Sequence, residues 1–216
     1  MKTNLILKNV DFSWPNQEKI IRNCTFEINE PGLFMIVGRN GCGKSTLFKL
    51  IQRIINPTFG SIYGPDDVFT VFQNPDHQIL MPTCGSEMIL NIRETFDKKR
   101  MQQRVDDVLN LVGLNGFILR PVQTLSGGQK QKLAIASALI SNSNFVLMDE
   151  PTALLDEKSQ MEIIKLVQSI TTSAKRPITV LWITHRMEEL NYAHKIGIME
   201  KGYLSEWVSP SNFKYH

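Results

Sequence analysis

The stretch of this 216-residue chain that most constrains its fold is the glycine-rich segment GRNGCGKST, residues 38–46. It follows a continuous apolar run at 32–38 that is typical of a buried parallel strand, and it precedes helical spacing over 44–55. Glycines in such a turn let backbone N–H groups point inward around phosphate oxygens, and the helix N-terminus adds partial positive charge. The segment fits G-x-x-x-x-G-K-[ST], so we predict a phosphate-binding loop (P-loop).

Within this loop, Lys44 is expected to reach the β- and γ-phosphates, and the Ser45 hydroxyl to ligate Mg²⁺. An accidental glycine-rich turn is the alternative, but the strand before the loop and the helix after it both argue against that. Cys42 is interpreted as a small filler within the loop. The predicted ATP-binding residues of the loop are Gly38, Arg39, Asn40, Gly41, Cys42, Gly43, Lys44, Ser45 and Thr46.

A second apolar run, NFVLMDEP at 144–151, ends in two acids. Asp149 at the strand tip is placed to hold the Mg²⁺ shell, and Glu150 would then lie next to the γ-phosphate. A carboxylate there can orient or deprotonate the attacking water. The alternative is that these two acids merely form a turn at the end of a strand. The presence of a P-loop in the same chain argues against this alternative. No Asn-Lys-x-Asp guanine signature occurs, which argues against a GTPase.

Strand and helix patterns divide the chain into a core and an insertion. The first third reads mainly as strands, residues from about 82 to 119 have helical spacing, and strands alternate with helices after Ser126. We therefore predict one α/β domain over 1–216, a P-loop NTPase with a mostly parallel core sheet and an N-terminal antiparallel β part. Residues 1–74 and 126–216 form its nucleotide-binding core, and 75–125 form a small inserted α-helical subdomain.

Composition narrows the class of protein further. The net charge of +3 is too small and scattered to argue for nucleic acid, so no nucleic-acid partner is expected. No apolar run approaches the roughly 20 residues that span a bilayer, and the N-terminus lacks a signal-peptide h-region. Three cysteines without CxxC spacing fit a reducing cytosol.

The segment LSGGQKQKLAIASALI, residues 125–140, predicts a second anion-binding helix start. Ser126 and two glycines open an amphipathic helix about 80 positions after the P-loop. One P-loop already serves one nucleotide, so this second cradle suggests a γ-phosphate supplied by another subunit. An ordinary serine N-cap followed by glycines is the alternative.

With these motifs in order, the chain resembles the ATP-binding-cassette (ABC) ATPases over nearly its whole length. Walker A corresponds to 38–46, the signature to 125–129, Walker B to 145–150, the D-loop to 153–156, and the switch histidine to His185 in WITHR. The resemblance implies two chains closed head-to-tail over two ATPs. It also implies that the partner's γ-phosphate meets Ser126, Gly127, Gly128 and Gln129.

The same resemblance assigns the remaining site residues. Glu150 is expected to be the catalytic base, His185 to contact the γ-phosphate, and Gln73 to sense Mg²⁺ or the attacking water. Trp14 is expected to stack on adenine, and Asp156 lies in the D-loop. The D-loop departs from the family pattern at two positions: Ala153 has no hydroxyl for a hydrogen bond, and Leu154 is bulkier than the usual alanine or glycine. These residues put in doubt how closely the D-loops of the two chains approach.

A narrower resemblance concerns Q-N-P-D-x-Q at 73–78, PTALLD and WITHRMEEL, which look like ATPases of energy-coupling-factor and cobalt-type importers of the cyanobacterial and plastid kind. It implies a cytoplasmic ATPase that is peripheral on the inner face of the cell membrane. Its partner would be an integral-membrane transporter subunit that carries a vitamin or transition-metal ion.

Two questions stay open from the sequence, and one segment is interpreted separately. The working pair is a homodimer or a heterodimer with a paralogous ATPase. A soluble ABC ATPase serving an assembly pathway is the alternative function, while the signature and His185 argue against a P-loop kinase. Residues 70–80 are read as the hinge between ATP and partner, with Asp76 to Leu80 facing the membrane protein.

Overall fold

An antiparallel sheet forms one layer of the computed structural model, which describes residues 5–173 and 177–213. Its order is β2-β1-β4, with β1 over Leu5–Ser13, β2 over Lys19–Ile28 and β4 over Phe59–Tyr63. Buried and exposed residues largely alternate along β2, as expected of a sheet with one face on the core. This layer is the predicted N-terminal antiparallel β part.

The second layer is a six-stranded sheet of order β5-β6-β7-β3-β8-β9. The strands β5, β6, β7, β3 and β8 pair in parallel, and β9 closes the edge in antiparallel pairing. Every residue of β3 and β7 is buried, so these apolar strands lie at the centre of the fold. The bounds are β3 Gly32–Val37, β5 Val68–Val71, β6 Phe145–Asp149, β7 Thr179–Thr184, β8 Lys195–Glu200 and β9 Tyr203–Leu204.

Five α-helices complete the described part of the chain, and they cover the parallel sheet and build the inserted subdomain. Their bounds are α1 Lys44–Ile51, α2 Cys84–Leu90, α3 Lys98–Leu111, α4 Gly127–Ile140 and α5 Glu157–Thr171. One hydrophobic cluster lies between the two sheets around α1, and another lies between the parallel sheet, α4 and α5. A third cluster holds α2 and α3 against α4.

Helix α4 belongs to two of these clusters at once. Leu133, Ala136 and Ile140 pack in the helical cluster, whereas Ala134 and Ile135 pack against the parallel sheet. The helix that begins at the signature therefore packs against both the inserted helices and the parallel sheet.

The α/β class and the antiparallel β part are confirmed, with local differences. The helical pattern over 86–96 ends at Leu90, because the Asn91 side chain donates to the Glu87 carbonyl and offers the backbone a competing partner. The helix after the P-loop ends at Ile51, and Arg53 adopts a left-handed φ of 58°. The expected helix after His185 is a 3-10 helix over Met187–Tyr192, and β9 was not predicted.

Among the described residues, no helix combines the length and apolarity needed to cross a bilayer.

Strand order explains how distant motifs meet. The carboxyl ends of β5, β6, β7 and β3 lie side by side at one edge of the sheet, where α/β proteins bind ligands. These four strands are followed, in that spatial order, by Gln73, the pair Asp149–Glu150, His185 and the P-loop. One sheet edge therefore gathers the predicted site from segments far apart in the chain.

Candidate active site

The P-loop has the backbone of a phosphate cradle. Gly43 caps α1 with a left-handed φ of 114°, a conformation in which a side chain is strained. At Gly38, a Cβ atom would overlap the Met199 carbonyl oxygen, so the loop start has no room for a side chain. Both glycines are thus required by the shape of the loop.

Lys44 is nearly buried, with 6% of its surface exposed. Its ammonium group donates to the carbonyl oxygens of Gly38, at 2.7 Å, and Arg39, at 3.1 Å. These neutral acceptors satisfy the cation without cancelling its charge. An anion that enters the loop therefore meets an ammonium group whose hydrogen-bond acceptors are neutral, in a partly dehydrated place.

A cavity of about 450 Å³ opens over this loop. Its wall joins the P-loop, which follows β3, to Glu150, which follows β6. The lining residues are Ile20, Asn40, Gly41, Gly43, Lys44, Ser45, Thr46 and Glu150. The structure thus brings most of the predicted phosphate-binding residues together with the predicted base.

Asp149 ends β6 beside this cavity and is largely removed from water. Burial raises the pKa of its carboxyl, the neighbouring charge of Glu150 raises it further, and Lys44 opposes both effects. Two adjacent carboxyls in a partly dry pocket favour a bound cation near them.

Glu150 occupies strained backbone. Its φ is 47°, in the left-handed region that non-glycine residues rarely adopt, and its N–H donates to the Ile183 carbonyl of β7 at 3.0 Å. Such outliers persist where the surroundings hold them, and they occur often at functional sites. In this conformation Glu150 lines the phosphate cavity.

His185, directly after β7, contacts Glu150. Its Nδ1 lies 3.0 Å from the Glu150 Oε2, with the histidine side chain about half exposed and the carboxyl mostly buried. A proton on Nδ1 would join the two side chains in a hydrogen bond, and Nε2 would then be the nitrogen that faces a ligand. Sequence reasoning placed both residues at the phosphate site, and the structure brings them into direct contact.

The donor set fits a magnesium ion that shares its coordination with a nucleotide. Ser45 offers a hydroxyl and Asp149 a carboxylate, the hard oxygen ligands that Mg²⁺ prefers. Within the ranges 5–173 and 177–213, no group of three or more His, Cys, Asp and Glu side chains is arranged to hold a metal. An ion held by few protein ligands takes the rest from phosphates and water, as Mg²⁺ commonly does.

A first prediction concerns Asp149→Asn. Because the folded state raises the pKa of Asp149, its ionised carboxylate destabilises the fold at pH 7, and this penalty fades as pH falls to the range where the group protonates. We expect the nucleotide-free variant to have a higher melting temperature than the wild type at pH 7.

Thermal unfolding at pH 7 and at acid pH measures this effect, and the gain should shrink in acid. ATP hydrolysis by the same variant should fall. An Asp149→Asn chain no more stable than the wild type at pH 7 would contradict the assigned burial cost.

Several predicted site residues do not line this cavity, namely Gly38, Arg39, Cys42, Asp149, His185, Gln73 and Trp14. Gln73 follows β5 and is exposed. Trp14 is 37% exposed and packs edge-on against Phe12, with ring centroids 5.0 Å apart. Their roles towards Mg²⁺ and adenine remain predictions.

The signature also lies apart from the cavity wall. Ser126 caps α4: its hydroxyl accepts from the Gln129 N–H at 3.3 Å, and the Gln129 side chain accepts from the Ser126 N–H at 3.1 Å. A Cβ on Gly128 would lie 2.9 Å from the Ser159 hydroxyl, so α4 approaches α5 closely here. The capping interpretation of Ser126 is therefore correct, and it leaves the exposed face of the turn available for an anion.

The D-loop ends at Asp156, which caps α5. Its carboxylate accepts from the Ser159 N–H and hydroxyl at 3.0 and 2.8 Å, and these bonds lower the pKa of Asp156. Leu154, two residues earlier, is 62% exposed. The bulky D-loop residue noted in the sequence thus presents its side chain to solvent.

The segment after Gln73 contacts the signature helix. Lys130 lies 2.6 Å from Asp76, and the Gln131 side chain donates to the Phe72 carbonyl at 3.3 Å. Asp76, expected to face a membrane protein, therefore has a partner within the chain, while Leu80 is 76% exposed.

Sequence reasoning missed two participants. Ile20 lines the cavity although it belongs to β2 of the other sheet. Lys130 ties the segment after Gln73 to α4, a contact 54 positions apart in sequence. The position of Lys130 directly after the signature was the only sequence signal for its contact with Asp76. Nothing in the pattern of β2 indicated that Ile20 would line the cavity.

This site has the features of an ABC-type ATPase: a P-loop after β3, the acid pair Asp149–Glu150 and His185. A family model for ABC transporters, ABC_tran, matches residues 21–153. The chain is 44% identical over 185 residues to ABC transporter I family member 10 of Arabidopsis thaliana. This match covers 85% of this chain and 68% of that protein.

Two further comparisons cover more of the chain. It is 33% identical over 223 residues to Energy-coupling factor transporter ATP-binding protein EcfA1 of Mycoplasmoides gallisepticum, covering 96% of this chain and 79% of that protein. The solved structure of cbiO1 from Clostridium perfringens, described as part of the ABC transporter complex cbiONQ, superposes with a TM-score of 0.89 at 25% identity, over 98% of this chain and 90% of that one. The chain belongs to the ABC transporter family and is an ATP-binding ATPase of that family.

Proposed function

We propose that this ATPase energises an importer of the energy-coupling-factor type, which carries a vitamin or a transition-metal ion through a separate integral-membrane subunit. The relatives named above support this class of transporter. The observation that carries the ATPase chemistry is the Glu150–His185 contact beside the P-loop cavity. The protein would then be cytoplasmic and peripheral on the inner face of the membrane.

In the proposed reaction, ATP phosphates enter the P-loop and Lys44 turns from the carbonyls of Gly38 and Arg39 to the phosphate oxygens. Ser45 and Asp149 would hold Mg²⁺, which neutralises phosphate charge when bound. Glu150 accepts the proton of the attacking water, and His185 holds the Glu150 carboxylate through Nδ1 while its other nitrogen faces the γ-phosphate. Gln73 completes the water and Mg²⁺ environment, and Trp14 supports the adenine ring.

The γ-phosphate needs a second cradle that the same chain does not provide. Ser126, Gly127, Gly128 and Gln129 lie at the start of α4 and do not line the P-loop cavity. In our proposal, two ATPase chains close head-to-tail so that each signature covers the other's ATP. The pair is a homodimer or contains a paralogous ATPase, and closure moves the helical subdomains with the membrane partner.

We further propose that the chain has two functional parts. Residues 1–74 and 126–216 form the ATP-binding core, and residues 75–125 form the transporter-binding subdomain. Positions 1–4, 174–176 and 214–216 of the core lie outside the described residues. An apolar groove of about 320 Å³ supports the second role. Ile89 and Leu119, which are 48% and 82% exposed, line it together with Met101, Val105 and Ile118. A groove of this kind fits the apolar face of a short helix from a membrane subunit.

A second prediction tests the groove. Leu119→Glu should reduce recovery of the membrane subunit with this chain about tenfold or more, because a buried unpaired carboxylate opposes docking. Leu111→Glu is the matched control, since Leu111 is 57% exposed on α3 but does not line the groove. Affinity purification from membranes measures recovery, and ATP affinity should be unchanged in both. Equal recovery of the membrane subunit with both variants would exclude this groove as its docking site.

The function itself is tested by affinity purification of the tagged chain from native membranes. Recovery of an integral-membrane protein whose transport of a vitamin or metal ion stops in a Lys44→Ala strain is the expected result. Recovery of a soluble scaffold instead would overturn the transporter assignment and favour an assembly-pathway ATPase.

A further inference from the structure

Glu189 is a buried acid in a short helix, a place where glutamate side chains are ordinarily exposed to solvent. It lies four residues after His185, in the 3-10 helix Met187–Tyr192, and only 1% of its surface is exposed. A dehydrated carboxyl is costly unless hydrogen bonds or charges compensate it. Its partners therefore indicate why the fold keeps it there.

The main partner comes from the other catalytic loop. The hydroxyl of Thr152 donates to Oε1 of Glu189, and Thr152 is also 1% exposed. Arg186 is more distant, with its Nε 3.7 Å from the same oxygen. The second oxygen, Oε2, is buried and has no hydrogen-bond partner within the described residues. Within the described residues, Thr152 is thus the hydrogen-bond donor to this buried carboxyl, and low polarity around the bond makes it strong.

This bond gives two loops a second point of attachment. Thr152 lies two residues after Glu150, on the loop that follows β6, and Glu189 lies on the loop that follows β7. The first point is the Glu150–His185 contact itself, at 3.0 Å. Together with the Glu150 N–H bond to the Ile183 carbonyl, these two side-chain contacts fix the relative orientation of the loops. The strained backbone of Glu150 needs such support from its surroundings.

We propose that Thr152 and Glu189 are positioning residues for ATP hydrolysis: their buried hydrogen bond holds the Glu150 carboxylate in line with His185 and the phosphate cavity. Neither side chain lines that cavity, so they act through Glu150 and not on the nucleotide. The inference rests on the proposed roles of Glu150 and His185. Because the D-loop begins at Ala153, the same bond also anchors its first residue.

Thr152→Val tests the bond from one side, since valine keeps the shape of threonine and loses the hydroxyl. We expect kcat for ATP to fall about tenfold or more, because small misplacements of a catalytic group cost that much, while KM changes less than about twofold. Thr152→Ser keeps the donor and should restore most of kcat. Activity is measured on the chain with the subunits that copurify with it, and kcat is expressed per ATP bound so that misfolded protein does not count.

Glu189→Leu tests the bond from the other side, and Glu189→Gln is its control because the amide oxygen still accepts from Thr152. Both singles interrupt one shared contact, so the double variant Thr152→Val/Glu189→Leu should lose no more than the larger single loss. Losses that multiply would contradict a shared bond.

The reference variant is Glu150→Gln. If Glu150→Gln is inactive and Thr152→Val turns over ATP like Thr152→Ser, the positioning role is wrong and the catalytic assignment stands. If Glu150→Gln turns over normally, the role of Glu150 fails, and the inference fails with it. A drop in kcat matched by an equal rise in KM would also overturn the positioning role, since it would indicate lost nucleotide binding.

Discussion

Glu150→Gln is expected to reduce ATP hydrolysis by on the order of 100-fold or more, the usual contribution of a general base. The amide cannot take a proton from water. Its oxygen can still accept from His185 Nδ1, so the 3.0 Å contact and the shape of the cavity are preserved. ATP binding should therefore stay close to that of the wild type, and the closed dimer should accumulate.

Steady-state phosphate release measures turnover, and equilibrium nucleotide binding measures affinity in the same preparation. Asp149→Asn serves as a comparison, since it removes the neighbouring carboxylate and is expected to weaken Mg²⁺-dependent binding. Normal turnover by the Glu150→Gln chain would show that another group accepts the proton.

Ser126→Arg is expected to lower turnover by a similar factor for a different reason. The arginine would occupy the exposed face of the α4 start, where the partner's γ-phosphate is proposed to lie. Loss of the serine cap costs only about 1 kcal/mol, which is small beside the loss of a closed site. Since Ser126 does not line the P-loop cavity, the monomer should bind ATP as before.

Gln123→Arg is the matched control for this variant. Gln123 is exposed three residues earlier, in the 3-10 helix Val122–Thr124, so the substitution introduces the same charge outside the signature. It should hydrolyse ATP like the wild type. Equal rates for the Ser126 and Gln123 variants would remove the signature from the reaction.

The position of the site at the carboxyl ends of the parallel strands was predictable from the sequence, because it follows from local patterns. Buried apolar runs end at the P-loop, at Asp149 and at His185, and parallel pairing alone brings their carboxyl ends together. The helix over 127–140 began where Ser126 and the glycines indicated. These features depend on residues close in sequence.

The side-chain contacts between segments were not predictable in this way. The Thr152–Glu189 bond joins residues 37 positions apart, and the Lys130–Asp76 pair joins residues 54 apart. No periodicity distinguishes the buried Glu189 from the exposed Glu188 beside it. Such contacts depend on how β6, β7 and α4 pack, and packing is a property of the folded chain.

In the proposed dimer, the signature of one chain completes the ATP site of the other. This arrangement is tested most directly by ATP retention on rapid gel filtration, comparing Glu150→Gln with the double variant Glu150→Gln/Ser126→Arg. Both should bind ATP equally well at equilibrium, as judged before the column. We expect the single variant to carry occluded ATP through the column and the double variant to lose most of it. Equal retention by the two variants would contradict a site completed across the dimer.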